Sequence, residues 1–152
     1  MGHGKLWREA ARAGVRWGIT GGVVGFAVSL LGALAGIIAA GFVGVFCGRR
    51  VARSAVGGDH PSEGAAAGLA GGAVAMPLFV VGSAAGALVS ASSLGSRRIA
   101  ATLSDATGME LGPGEAWQIF LLSVALAAFF EAVIFMVSSC IAGAMACRKD
   151  RS

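Results

Sequence analysis

A single carboxyl stands alone in the most apolar part of this chain. Residues 17–48, 64–96 and 116–147 contain no acid or base except Glu131, near the middle of the third stretch. An ionised, unpaired carboxyl costs several kcal/mol in hydrocarbon, so its presence there points by default to proton relay or cation binding. The competing reading is structural. A protonated Glu131 would bond a hydroxyl, or a backbone carbonyl freed by Pro77, and hold helices in register. On a helical projection Ala127, Glu131, Ser138 and Ala142 share one side, while Leu122, Phe129, Val133 and Met136 share the other, which turns the carboxyl towards protein. Thr20, Ser29, Ser83 and Ser138 are its candidate partners, and no basic residue falls at that depth.

Other chemistry finds little support. No Ser/His/Asp, Cys/His or paired-carboxylate constellation is present, and Glu131 has no second titratable group beside it, so the expectation is not an enzyme. Cys47, Cys140 and Cys147 lie in or at the ends of apolar segments, and an odd number cannot close a disulfide framework. His3 and His60 stand apart from them, so the expectation is no metal and no cofactor. The glycines lack the following Lys-Ser or Lys-Thr that a phosphate cradle requires.

The elements that must position Glu131 are helices in a bilayer. Hydrophobic residues make up 56% and charged residues 13%, against roughly 45–50% and 25% in a soluble domain, so the surface faces lipid. The 12 Lys and Arg against 8 Asp and Glu sit almost wholly in flanks and connections, which indicates membrane orientation and no nucleic-acid partner. The expected fold is all-α: an integral membrane helical bundle in a single domain over residues 17–147.

Residues 1–16 read as a basic amphipathic helix at the membrane interface. Lys5, Arg8, Glu9, Arg12 and Arg16 form one stripe, while Leu6, Trp7, Ala10 and Val15 lie outside it, and Trp7 and Trp17 suit the headgroup level. A solvated tail is the alternative. Lys5 and Arg8 before an apolar run ending at Ala33-Leu34-Ala35 have the outline of a secretory signal, but the run continues to Cys47, so an uncleaved first span is expected.

The number of spans turns on residues 17–48. As one straight helix they would be about 48 Å long, in a hydrocarbon layer of about 30 Å. With three spans the basic residues divide six and six. If the chain turns back near residues 32–36, the division becomes ten inside and two outside, as the positive-inside tendency expects. Four membrane segments are therefore favoured, at about 17–32, 35–48, 64–90 and 116–147, with three as the alternative. The extramembrane loop is 91–115, with a short amphipathic helix over 97–106, and a basic tail occupies 148–152. Both termini are then cytoplasmic and the protein is a multipass protein of the plasma membrane. Against the hairpin stand the absence of Pro or Asn at the turn and a weak repeat. Shifted by 50, residues 14–36 match 64–86 at eight positions, and 64–90 reads as one span.

Small residues four apart are frequent. Gly21 and Gly25, Gly32 and Gly36, Gly64 and Gly68, and Gly82 and Gly86 are expected to pack helices, since close backbone approach replaces the hydrophobic drive in lipid. Most serve the protein's own bundle. Self-association into a homo-oligomer, or packing on a membrane-protein partner, is the further use, beside contact with the lipid bilayer itself. Pro77 is expected to kink the third segment.

The run from Gly41 to Gly48, then Gly57-Gly58-Asp59 and Glu63 to Gly72, resembles a domain-of-unknown-function family of small Gly/Ala-rich four-span membrane proteins common in archaea. Gly143 and Ala144 resemble its closing glycines. Phe46-Cys47 stand where that family has an aromatic Tyr, and Ala33 where it has a turn Pro. The resemblance implies the four-span topology and no catalytic residue. Phe129-Phe130-Glu131-Ala132 also resembles the carboxyl-bearing helix of rotary-ATPase proteolipid subunits, without their compact Gly-x-Gly-x-Gly runs, and implies ion coupling through Glu131. The leading expectation is a non-enzymatic structural, accessory or self-associating membrane protein, and the alternative is a unit that conducts or couples protons or cations at Glu131.

Overall fold

The computed structural model describes residues 3–55 and 60–148, with side chains placed over 7–54 and 60–147. The side chains of Lys5 and Leu6, the Gly57-Gly58-Asp59 turn and the tail at 149–152 lie outside the described residues, as does the side chain of Arg148. The described residues form helices α1 (His3–Ser29), α2 (Ala33–Ala55), α3 (Pro61–Leu94), α4 (Ser96–Thr107) and α5 (Pro113–Arg148), with no strand among them.

Each boundary has a local cause. Between α1 and α2 the backbone reverses at Leu31 and Gly32, where Gly32 takes φ +120°, a conformation open mainly to glycine. Its N–H donates to the Ser29 carbonyl at 3.2 Å. Gly32 is therefore a turn residue and not the packing residue its spacing with Gly36 had indicated, since a Cβ there would meet nothing within 4 Å. Pro61 opens α3, with Glu63 in its first turn, where negative charge suits the helix dipole. Gly95 and Gly108, both at positive φ, separate and end α4. Gly112 donates its N–H to Glu115 at 3.0 Å just ahead of Pro113, which closes a cap on α5.

Three helices are long and apolar enough to cross a membrane, over Ala33–Ser54, Pro61–Leu94 and Pro113–Cys147. Their outer faces carry large apolar side chains, among them Phe42, Val81, Leu122 and Phe129, all more than half exposed. A soluble monomer rarely exposes that much apolar surface. α1 is one helix without a break at residue 16. Ala10 and Gly14 are buried on its inner side, while Arg8, Arg12 and Arg16 are exposed.

Glycines set the bundle's geometry. α1 and α3 run side by side in the same direction: a Cβ on Gly14 would lie 2.6 Å from the Gly71 carbonyl oxygen, one on Gly82 would strike the Gly22 backbone, and one on Gly86 that of Phe26. α2 follows α5, with Gly44 against Phe135 and Gly48 against Ser139. α3 and α5 are antiparallel, with Gly64 against Gly143 and Gly68 against Ser139. There Ser139 Oγ donates to the Gly68 carbonyl at 2.8 Å, an interhelical bond of the kind lipid favours. Gly21 and Gly25 form a slot for the ring of Phe79, whose atoms would lie 3.6 and 3.3 Å from a Cβ at those positions. Pro77 is exposed and α3 continues unbroken through it. At one end, Glu9, Arg12, Arg16 and Arg50 line a common groove beside Trp17. At the other, Ile99 and Ala100 of α4 pack on Ala91 and Ala116, with Trp117 and Phe120 beside them.

Gly82→Leu would drive a side chain into the backbone of α1. Overpacking costs about 1–3 kcal/mol or more, so thermal unfolding in detergent is expected to show a marked loss of stability or no folded protein. Gly114→Ala faces open space and is expected to leave the melting temperature unchanged or slightly raised.

Candidate functional site

Glu131 lies near the middle of α5 and is 2% exposed. From it an inward stripe continues through Phe135, Ser139 and Gly143, all buried, at steps of one helical turn. Ser138, expected on this stripe, instead packs against α2, with its Cβ 3.1 Å from the place a Gly44 Cβ would take. α5 is gripped from two sides, by α3 and by α2, and Ser138 faces the second. It also stands seven residues from Glu131, about 10 Å along the axis, and does not serve it. Thr20 is exposed and donates to the Arg16 carbonyl of its own helix at 3.2 Å.

Ser29 and Ser83 do meet the carboxyl. Ser83 Oγ donates to Glu131 Oε1 at 2.8 Å, and Ser29 Oγ lies 2.7 Å from Ser83 Oγ. A serine hydroxyl has one hydrogen. With that of Ser83 committed to the carboxyl, Ser29 must be the donor between the serines, so a directed chain runs Ser29 to Ser83 to Glu131. Gly36 makes the arrangement possible, because a Cβ there would collide with Oε1. This glycine clears space for a carboxyl, a more specific use than helix packing.

The second carboxyl oxygen is different. Oε2 is enclosed and has no hydrogen-bond partner. The carbonyl that Pro77 leaves without its helical donor is not among the partners of Glu131. One turn towards the basic end, Phe79 and Phe135 are fully buried with ring centroids 5.6 Å apart. They form an apolar plug beneath the carboxyl. Towards the other end, Glu131, Ser83 and Ser29 line a half-open cavity of about 470 Å³. The site is thus closed on one side and open on the other.

Sequence reasoning missed several of these parts. Ser139, Phe79 and Phe135 were hidden among many similar apolar or small residues. The spacing of Gly41, Gly44 and Gly48 on α2 held a readable signal of the α2–α5 contact. Arg98, on the cavity wall, reads in the sequence only as a charge of the short amphipathic helix over 97–106. The described residues contain no cluster of three His, Cys, Asp or Glu fit for a metal ion. No family model, curated protein or solved structure matches the chain.

Ser83→Ala would strip Oε1 of its donor and leave both buried oxygens unsatisfied. An orphaned buried acceptor costs about 1–3 kcal/mol, so Ser83→Ala is expected to lower the unfolding midpoint clearly. Thr20→Ala, at an exposed site, should change stability by no more than about 0.5 kcal/mol.

Proposed function

We propose that this is a non-enzymatic multipass protein of the cell membrane in which Glu131 binds and releases a proton or cation. Four segments lie in the bilayer, formed by α1, α2, α3 and α5, and both termini are cytoplasmic. Residues 8–16 hold their basic stripe at the headgroup layer. The resemblance of the runs 41–48 and 63–72 to a four-span family is in keeping with this topology. So does the charge pattern: Arg12, Arg16 and Arg50 gather at one end, while Arg97 and Arg98 lie on α4 at the other.

The observation that carries the proposal is Oε2. A carboxyl kept only to hold helices in register would have both oxygens satisfied, because an unmet buried acceptor is a standing cost. Glu131 has one oxygen held by a serine chain and one, enclosed beside the cavity, without any partner. The alternative of a self-associating scaffold asks for small-residue faces on the outside of the bundle. Those of Gly21, Gly25, Gly64, Gly68, Gly82 and Gly86 are occupied by neighbouring helices of the same chain.

The plug of Phe79 and Phe135 makes the exchange one-sided. A proton or cation reaches Glu131 from the cavity end, and passage through the bundle requires the two rings to move. The chain therefore fits a coupling or carrier element better than an open pore.

Treatment of native membranes with a hydrophobic carbodiimide, followed by peptide mass spectrometry, tests this reading. Modification at Glu131, suppressed by excess cation, is the expected result. Absence of modification at Glu131 under conditions that label other membrane carboxyls would reject an exchangeable site.

A further inference from the structure

The cavity over Glu131 arises from unequal helix lengths. The α1–α2 turn comes immediately after Ser29, yet α3 continues eleven residues past Ser83, about 16 Å. Between Pro113 and Glu131, α5 spans eighteen residues, about 27 Å. Above the turn, then, two long helices stand without the hairpin beside them, and α4 packs on both through Ile99 and Ala100. The half-open space between them is about 470 Å³, within the range that holds a drug-sized ligand.

Its chemistry is strongly divided. Ala84, Ala87, Ile99, Phe120, Val124 and Ala128 make apolar walls. At the floor Glu131 is 98% buried with Oε2 unpartnered, and Ser29 and Ser83 flank it. Arg98 belongs to α4 at the far end and is exposed. A bare hard cation prefers six or more oxygens, which this floor does not offer. An anion would meet the carboxyl. The walls ask for an apolar body, and the floor asks for a positive charge that also carries a hydrogen-bond donor.

We infer that this cavity is a binding site for a lipophilic ammonium compound, one whose N–H group seats on Glu131 while its apolar body lies between α3, α4 and α5. The inference rests on the reading of Glu131 as an exchanging site and names the class of cation. Once a turn of the Glu131 side chain brings the enclosed Oε2 to the cavity, ion pairing there supplies the missing donor and neutralises the carboxylate together, which neither an alcohol nor a quaternary ammonium does. The ammonium has two possible sources, a free amine or the headgroup of phosphatidylethanolamine.

The test is equilibrium binding of radiolabelled dodecylamine to the full chain in phosphatidylcholine nanodiscs, with empty nanodiscs as background. Saturable binding at one amine per chain is expected. Affinity should fall about tenfold or more for Glu131→Gln, and by a similar factor for the N-trimethyl analogue, since a hydrogen bond to a charged group is lost. Ala87→Trp keeps the carboxyl but fills the cavity, and it should also abolish binding. Competition by phosphatidylethanolamine assigns the site to a lipid headgroup, and its failure to compete assigns it to free amines. No saturable binding by the wild type, unchanged binding by Ala87→Trp, or equal affinity for the trimethyl analogue each overturns the inference. Carbodiimide modification of Glu131 without amine binding overturns it while leaving the exchange reading intact, whereas failure of both rejects both.

Discussion

The structure depends on how closely two helix backbones approach each other. Between helices long and apolar enough to cross a membrane, hydrocarbon would give apolar side chains no reason to prefer protein over lipid, so van der Waals contact and interhelical hydrogen bonds take over the packing. Here that contact is made by glycine. Gly82 against Gly22, Gly86 against Phe26 and Gly64 against Gly143 bring carbonyls and α-carbons into direct contact. The α1–α3 contact fixes the height of Ser29 beside Ser83. The α3–α5 contact fixes that of Ser83 beside Glu131. A chain with alanine at these positions would push the helices apart by more than the tolerance of a hydrogen bond, and the serine chain would break.

The same constraint explains why a polar layer exists at this depth. Ser83 sits between Gly82 and Gly86 on α3, in the stretch where α1 is nearest. Gly36 gives Glu131 Oε1 its space on the α2 side. Small residues thus perform two tasks in one layer: they draw the helices together, and they leave room for a side chain larger than lipid-facing geometry would admit. Just below, Gly21 and Gly25 use the same device to seat Phe79, which then stacks obliquely on Phe135.

Much of this was legible in the sequence, and the failures have physical causes. The helical class and the isolation of Glu131 follow from hydropathy and charge alone, as does the burial of its carboxyl from the projection of α5. The choice among Thr20, Ser29, Ser83 and Ser138 does not follow, because it depends on relative helix height. Only the backbone contacts settle that, and they place Thr20 on the exposed face and Ser138 against α2. Gly32 and Gly36 share the spacing of a packing pair, yet one supplies a positive φ and the other a void for a carboxyl. Spacing cannot separate those uses. The helix expected over 97–106 coincides closely with α4, since its amphipathic pattern is local information.

The cavity illustrates a kind of information that lies between these cases. No motif encodes it. It follows from a mismatch between a hairpin with short arms and two helices of 34 and 36 residues, a comparison of lengths that the sequence contains but periodicity does not express. Because the hairpin turn ends at the polar layer, the carboxyl lies at a boundary between two packing regimes. On one side four helices close tightly around Phe79 and Phe135. On the other, α3, α4 and α5 enclose open volume. A titratable group buried within the first regime alone would be inert, and one wholly within the second would be solvated and ordinary. Glu131 occupies the border, where its Oε1 is held by the ordered side and its Oε2 is left unpartnered. That position is set by helix length and glycine contact together.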